Sequence, residues 1–433
     1  MKNKILSIFC CIVYSILVGL IFYLIKINAI SDGTEDTKYF IYITIIIIIF
    51  ILLLIYHLVF FNLNNFKNLI LMSVFSIISI LFMEIIFDYS NFKKLIYIKN
   101  ISIHKNINLK KLYLKLSKNN QDLKFSFSPN AINLDFKKHF FFSNNSNAKS
   151  FLCIENSGPI IINNDKFGFN NDNSAWSQKQ PYLFIGDSFV QGWCVKSKNN
   201  FVYKYNNKSL NLGVQNTGPL IQFAILKEYY RYIKPKKIIW FYYEGNDFDD
   251  LNHEKRKKIL RKYLINSLFS QQLLKRQLEV DKQNDFALKK FIKFSTNSTN
   301  TNIDQNYVKY VNLKNILKLK NIRTLVNNIL FKGFLYEKIL VEAKKFSELN
   351  NIELIMVYLP SYERYKLKNN FIRDIHYNRI LKIYKKNNLN FIDLKKDFFD
   401  KKDTLAMYPQ KKRGHFNEKG HDELSQFLKI NIK

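Results

Sequence analysis

The sequence predicts an α/β body built on a parallel sheet and preceded by a membrane module. Three observations predict it. Apolar residues concentrate in three long runs within the first 90 residues. From Pro181 onward, short apolar runs alternate with stretches of helical period. Glycine is scarce, 12 in 433 residues, yet seven of the 12 fall in four short segments, three directly after expected strands and the fourth a loop beyond the last strand.

The runs are Ile5 to Ile25, Tyr39 to Phe61 and Leu69 to Phe87. Each is close to the ~20 residues needed to cross hydrocarbon. Residues 1–90 are therefore expected to form three transmembrane helices, with the bilayer as a partner. Cys10 and Cys11 lie inside the first run, where no small residue precedes them as a lipid-attachment box requires. Lys2 and Lys4 favour a cytoplasmic N-terminus. Three crossings then put the rest of the chain on the extracytoplasmic side.

Composition removes several classes. Hydrophobic residues make up 47% of the chain and charged residues 23%, which excludes a disordered chain. Four cysteines exclude a disulfide scaffold. The net charge of +33 suggests a nucleic-acid binder. Arginine, the residue of bidentate base and phosphate contacts, occurs only 9 times, however, and never before Arg231. No nucleic-acid partner is expected.

Residues 91–156 read as a juxtamembrane β-rich spacer, with alternation at Leu123 to Phe127 and Phe140 to Phe142. The body, 157–433, has expected strands at Tyr182–Ile185, Ser209–Leu212, Lys237–Tyr243, Ile352–Leu359 and Asn388–Ile392. Helices are expected at Leu220–Ile233, Phe334–Leu349, Ile372–Lys385 and Glu418–Ile430. Such alternation implies a parallel sheet covered on both faces. A helical insertion, about 251–328, opens with the basic cluster Lys255, Arg256, Lys257, Lys258, Arg261 and Lys262. That cluster reads as a solvated face or, less simply, as a lid resting on anionic headgroups.

In a parallel sheet the site lies at the carboxyl ends of the strands. Ser188 stands where the first strand of the body ends, in Gly186-Asp-Ser188. A hydroxyl there can cap a helix, or sit exposed beside amides able to hold an oxyanion. Asn246, after the third strand, offers an amide donor. The second strand runs into Asn211-Leu-Gly-Val-Gln-Asn-Thr-Gly218, a source of backbone N–H groups. Near the C-terminus, His415 precedes a helix start with Asn417 as its cap, and a neutral imidazole there can deprotonate Ser188. His421, inside that helix, reads as structural. The spacing of His415 and His421 fits no metal site, and no metal or cofactor is expected.

These four segments together resemble the SGNH hydrolase superfamily, also called the GDSL family of esterases and lipases, over about Ser157 to Ile430 without the insertion. The resemblance implies a flavodoxin-like three-layer α/β/α fold with a five-stranded parallel sheet. It makes Ser188 the nucleophile, His415 the base and Asn246 an oxyanion donor. The backbone N–H groups of Ser188 and of Asn216 or Gly218 would be the other donors. Asn216 stands where the family has glycine. The stretch Asn164 to Asn170 is similar to the segment that precedes the serine block in membrane-linked members. The family's acid lies two or three residues before its histidine; Arg413 and Lys412 occupy those places here. Asp403 or Asp400 would then orient His415, or the pair would act as a dyad. The implied activity is that of a serine esterase removing acyl groups, acetyl foremost, from a small-molecule or envelope-glycan ester. Transfer of the acyl group to a glycan, or an inactive binding module, are the alternatives. Cys153 and Cys194, the only cysteines beyond the membrane module, either pair or remain free.

Overall fold

The computed structural model describes residues 109–133, 138–154, 158–178, 181–207, 209–294, 333–366 and 370–432. The expected transmembrane module, 1–90, and the end of the insertion, 295–328, lie outside the described residues. Among the described residues no helix is long and apolar enough to cross a membrane.

Residues 109–119 form a first helix, α1. Three short strands come next: β1 (Lys124–Phe125), β2 (Lys149–Ile154) and β3 (Pro159–Asn163). β1 pairs parallel to β2, and β2 antiparallel to β3. The alternating stretch Phe140 to Phe142 is a buried loop. All three aromatics are at most 3% exposed and join the main core. Side-chain amides replace a partner strand there. Asn133 both donates to and accepts from the Phe141 backbone, and Gln271 does the same for Phe140. The described part of 91–156 is thus not a spacer; it belongs to one compact unit, Ile98–Asn302 with Ile329–Lys433.

The main sheet contains β4 (Tyr182–Ile185), β5 (Leu210–Asn211), β6 (Lys237–Tyr243), β7 (Glu353–Leu359) and β8 (Asn390–Asp393). All its pairings are parallel, in the order β5-β4-β6-β7-β8. Alternate residues of β6 enter different cores. Ile238, Trp240 and Tyr242 face one layer, while Ile239 and Phe241 face the other. Taking such a side chain from water contributes roughly 1.5–3 kcal/mol. Double-sided burial explains why these strands read as unbroken apolar runs.

One layer of helices is α4 (Pro219–Ile233), α8 (Phe334–Leu349) and α9 (Phe371–Lys386). Across the sheet lie α3 (Phe201–Tyr205) and α10 (Glu418–Asn431). The body is a flavodoxin-like three-layer α/β/α fold. Its strand order reverses between β4 and β6, and the crevice outside that switch point is where ligands bind in such folds.

The insertion continues from α5 (Asp247–Glu254) with α6 (Lys258–Ile265) and α7 (Gln277–Phe294). It is clamped to α4. The Glu228 carboxylate accepts from Tyr263 Oη, Ser270 Oγ and the Gln271 and Leu273 N–H groups. The Lys227 ammonium donates to the Tyr263 and Asn266 carbonyls. Arg256, Lys257, Lys258 and Lys262 of the basic cluster are exposed.

Candidate active site

The chain leaves β4 at Ile185, turns at Gly186 and starts the one-turn helix α2 (Ser188–Gln191). Asp187 is its N-cap, with Oδ1 accepting the Phe189 N–H at 2.9 Å. Gly192 ends the turn at φ 81, a left-handed conformation in which a side chain would strike Asn200. This puts Ser188 at the switch point, a residue only 8% exposed.

His415 arrives from the far end of the chain. Asn417 fixes its approach: it caps α10 by accepting the Gly420 N–H, and it donates to the Ala406 carbonyl. The Asn417 N–H meets the Met407 carbonyl. His415 Nε2 lies 2.8 Å from Ser188 Oγ. Phe189 and Trp193 flank the imidazole, with ring centroids 4.9 and 6.0 Å away. Two residues 227 positions apart therefore meet at the sheet edge.

The carboxylates expected for His415 are placed elsewhere. Asp403 is 61% exposed and pairs with Lys411 at 2.9 Å. Asp400 accepts from Tyr365 and from Lys395. The carboxylate beside the serine is Asp187, whose Oδ2 is 3.4 Å from Ser188 Oγ. Burial pushes it up to about 6, opposed by its amide bond and by His415.

Asn246 is the N-cap residue of α5. Its Nδ2 donates to Asp250 Oδ2 at 2.8 Å, leaving its second hydrogen available. Its Oδ1 is buried with no partner among the described residues. Asn216 holds φ 54, the left-handed conformation that asparagine adopts more easily than most residues. Gly218 requires a correction: its N–H donates to Glu254 Oε1 and is not offered to a ligand. Glu254 also takes the Leu220 and Ile221 N–H groups, so this buried carboxylate caps α4 from α5.

The site holds more acid than its motifs announce. Asp187, Asp247, Asp250 and Glu254 stand close enough to perturb one another. Burial, then the Asp187 charge, pushes Asp247 well above the carboxylate range. Burial raises Asp250 to about 7 and Glu254 to about 8. Asn246, Asp250 and Glu254 recur every four residues, which places them on one helical face. That spacing was the available signal. Among the described residues, no group of three or more His, Cys, Asp or Glu side chains is arranged to hold a metal ion.

His421 is structural. Its Nδ1 accepts the Phe201 N–H, and burial drives it down to about 3, which keeps it neutral. Cys153 and Cys194 form a disulfide with Cα atoms 5.5 Å apart. It ties β2 to the loop that carries Trp193.

No family model matches the chain, and no curated protein matches it. The chain is similar to solved structures of three hydrolases. A lipolytic protein of the G-D-S-L family from Desulfitobacterium hafniense shares 13% identity over 59% of this chain and 100% of its own, with a TM-score of 0.28. An acetyl xylan esterase shares 14% over 58% and 100%, at 0.30. A GDSL-like lipase from Bacteroides thetaiotaomicron shares 13% over 60% and 94%, at 0.28. Scores this low decide no family, so the functional reading rests on the chain's own geometry.

Proposed function

We propose that the protein is a serine esterase of the SGNH type. The observation that carries the reading is the 2.8 Å approach of His415 Nε2 to Ser188 Oγ at the switch point of the sheet. Ser188 Oγ bonds to the ester carbonyl carbon as its proton passes to His415 Nε2. The tetrahedral oxyanion faces the Ser188 N–H, the remaining Asn246 hydrogen and the Asn216 N–H. Each donor of this kind is worth roughly 3 kcal/mol of barrier. Collapse expels the alcohol, which takes the proton from His415. Water then repeats the sequence on the acyl-enzyme and releases the acid.

The substrate class is an acyl ester, acetyl foremost, carried by a small molecule or an envelope glycan. The protein is placed at a membrane through its first 90 residues, with the body on the extracytoplasmic side. The Cys153–Cys194 disulfide supports that side, because such bonds persist in oxidising compartments. A fluorophosphonate tests the reading: it should label the native protein and fail on Ser188→Ala and His415→Ala. Absence of native labelling leaves a binding module. Release of acetate from p-nitrophenyl acetate with and without a sugar acceptor separates hydrolysis from acyl transfer.

A further inference from the structure

The turn after β5 and the turn that carries Ser188 meet at the Val214 N–H bond to the Gly186 carbonyl and, through side chains, at a buried amide. Asn211, 3% exposed, accepts the Gly213 N–H through Oδ1 at 2.8 Å. Through Nδ2 it donates to the Val190 carbonyl at 2.7 Å. Asn211 itself is clamped. Asn171 Oδ1 takes its N–H and Asn171 Nδ2 donates to its carbonyl, at 2.8 and 2.9 Å, on the edge where, among the described residues, no further strand pairs with β5. The same joint has a second side-chain link, Gln191 Oε1 accepting the Gln215 N–H at 2.9 Å. It leaves no slack: a side chain on Gly213 would fall 2.3 Å from the Gln191 nitrogen.

The geometry points to Asn211 as a positioning residue for ester hydrolysis, setting the spacing between the Ser188 N–H and the turn that presents the Asn216 N–H. The inference rests on the proposed esterase reading. An oxyanion is stabilised by donors fixed beforehand at hydrogen-bond distance, so a joint that holds two donor-bearing turns together sets barrier height rather than substrate affinity. Each half of the Asn211 amide does a different task. The oxygen holds the Asn216 turn and the nitrogen holds the serine turn, two tasks that an ionised carboxylate, an acceptor alone, does not combine.

Asn211→Asp tests this in the full chain. It keeps the size and the acceptor for Gly213, but sets an oxygen against the Val190 carbonyl. Active sites are counted by end-point fluorophosphonate labelling, and turnover of p-nitrophenyl acetate is expressed per labelled serine. The expected result is kcat lower by about 100-fold, the scale of one lost oxyanion donor. KM should stay within about twofold, and inhibition by butylboronic acid, which forms a tetrahedral adduct, should weaken in step with kcat/KM. Unchanged kcat and boronate affinity per labelled serine overturn the inference, as does a loss confined to KM. Should N211D yield no labelled protein, Gln191→Met cuts the parallel link. A kcat about 10-fold lower at constant KM then supports the joint, and an unchanged kcat overturns it. A native protein that neither labels nor turns over overturns the esterase reading, and this inference with it.

Discussion

The Asn246 amide donates to the Asp250 carboxyl one helical turn away, at 2.8 Å. That bond fixes the rotamer of the proposed oxyanion donor, and its charge matters. Burial, then the Asp187 and Asp249 charges, raises Asp250 to about 7. A neutral Asp250 orients Asn246 without opposing a nearby oxyanion; an ionised one opposes it. Above pH 7, kcat for p-nitrophenyl acetate should therefore decline as Asp250 ionises. Asp250→Asn, which keeps an acceptor without the charge, should flatten the decline and keep kcat within about threefold. Asp250→Ala should lose about 10-fold, part of the value of one oxyanion donor. Equal losses in both variants would show that Asn246 needs a negative charge beside it.

Glu254 supplies a pH-dependent share of stability. Its carboxyl caps three N–H groups of the α4 start, yet burial raises it from 4.5 to about 8. The folded value lies above the unfolded one, so the protein binds this proton more tightly when folded. The contribution is complete below about pH 4.5 and is lost as pH climbs through about 8. Thermal scans should show Tm falling from pH 6 to pH 8. Glu254→Gln should make that fall shallower, while lowering stability throughout by about 1–3 kcal/mol because an NH2 group now faces amides that need acceptors. An unaltered slope would assign the proton to another group.

The central strands β4, β6 and β7 were legible because each is buried on both faces. Burial of that kind writes uninterrupted apolar runs such as Leu354 to Leu359, and β4 and β6 match their expected bounds. Ser188, Asn246 and His415 were legible because each comes just after a strand or just before a helix in a short glycine-marked segment. The features that stayed hidden depend on residues arriving from elsewhere. Gly218 reads as a free donor until Glu254, 36 residues later, takes its N–H. The alternation of Phe140 to Phe142 left strand and loop open, because nothing local reveals that Asn133 and Gln271 will satisfy their backbone. Asp403 looked available because the reach of Lys411 is a property of the folded loop.

Asp165 explains the Asn164 to Asn170 stretch. It is buried, and its carboxylate accepts from the Phe167 and Phe169 N–H groups, Asn171 Nδ2 and Trp176 Nε1. Asp165→Ala leaves four donors without an acceptor. It should cost about 3 kcal/mol or more by denaturant unfolding, since each buried unmet donor costs ~1–3 kcal/mol. Asp165→Asn keeps one acceptor and should cost less. A loss under about 1 kcal/mol for the alanine variant would mean that water replaces the carboxylate.

The disulfide makes the last prediction. Cys153 and Cys194 close a loop of sequence separation 41. Restriction of the unfolded chain by a loop of that length is worth about 4 kcal/mol. The bond joins β2 to the segment holding Trp193, which flanks His415, so it bears on the site as well as on stability. Cys153→Ala/Cys194→Ala should lower unfolding free energy by roughly 2–4 kcal/mol. Reductant should lower the native protein's stability to the same level and leave the double variant unmoved. Turnover should weaken more than stability alone accounts for, visible as lower kcat per fluorophosphonate-labelled serine. If reductant leaves native stability and kcat unchanged while thiol counting shows the bond open, the link constrains neither the unfolded chain nor the Trp193 loop.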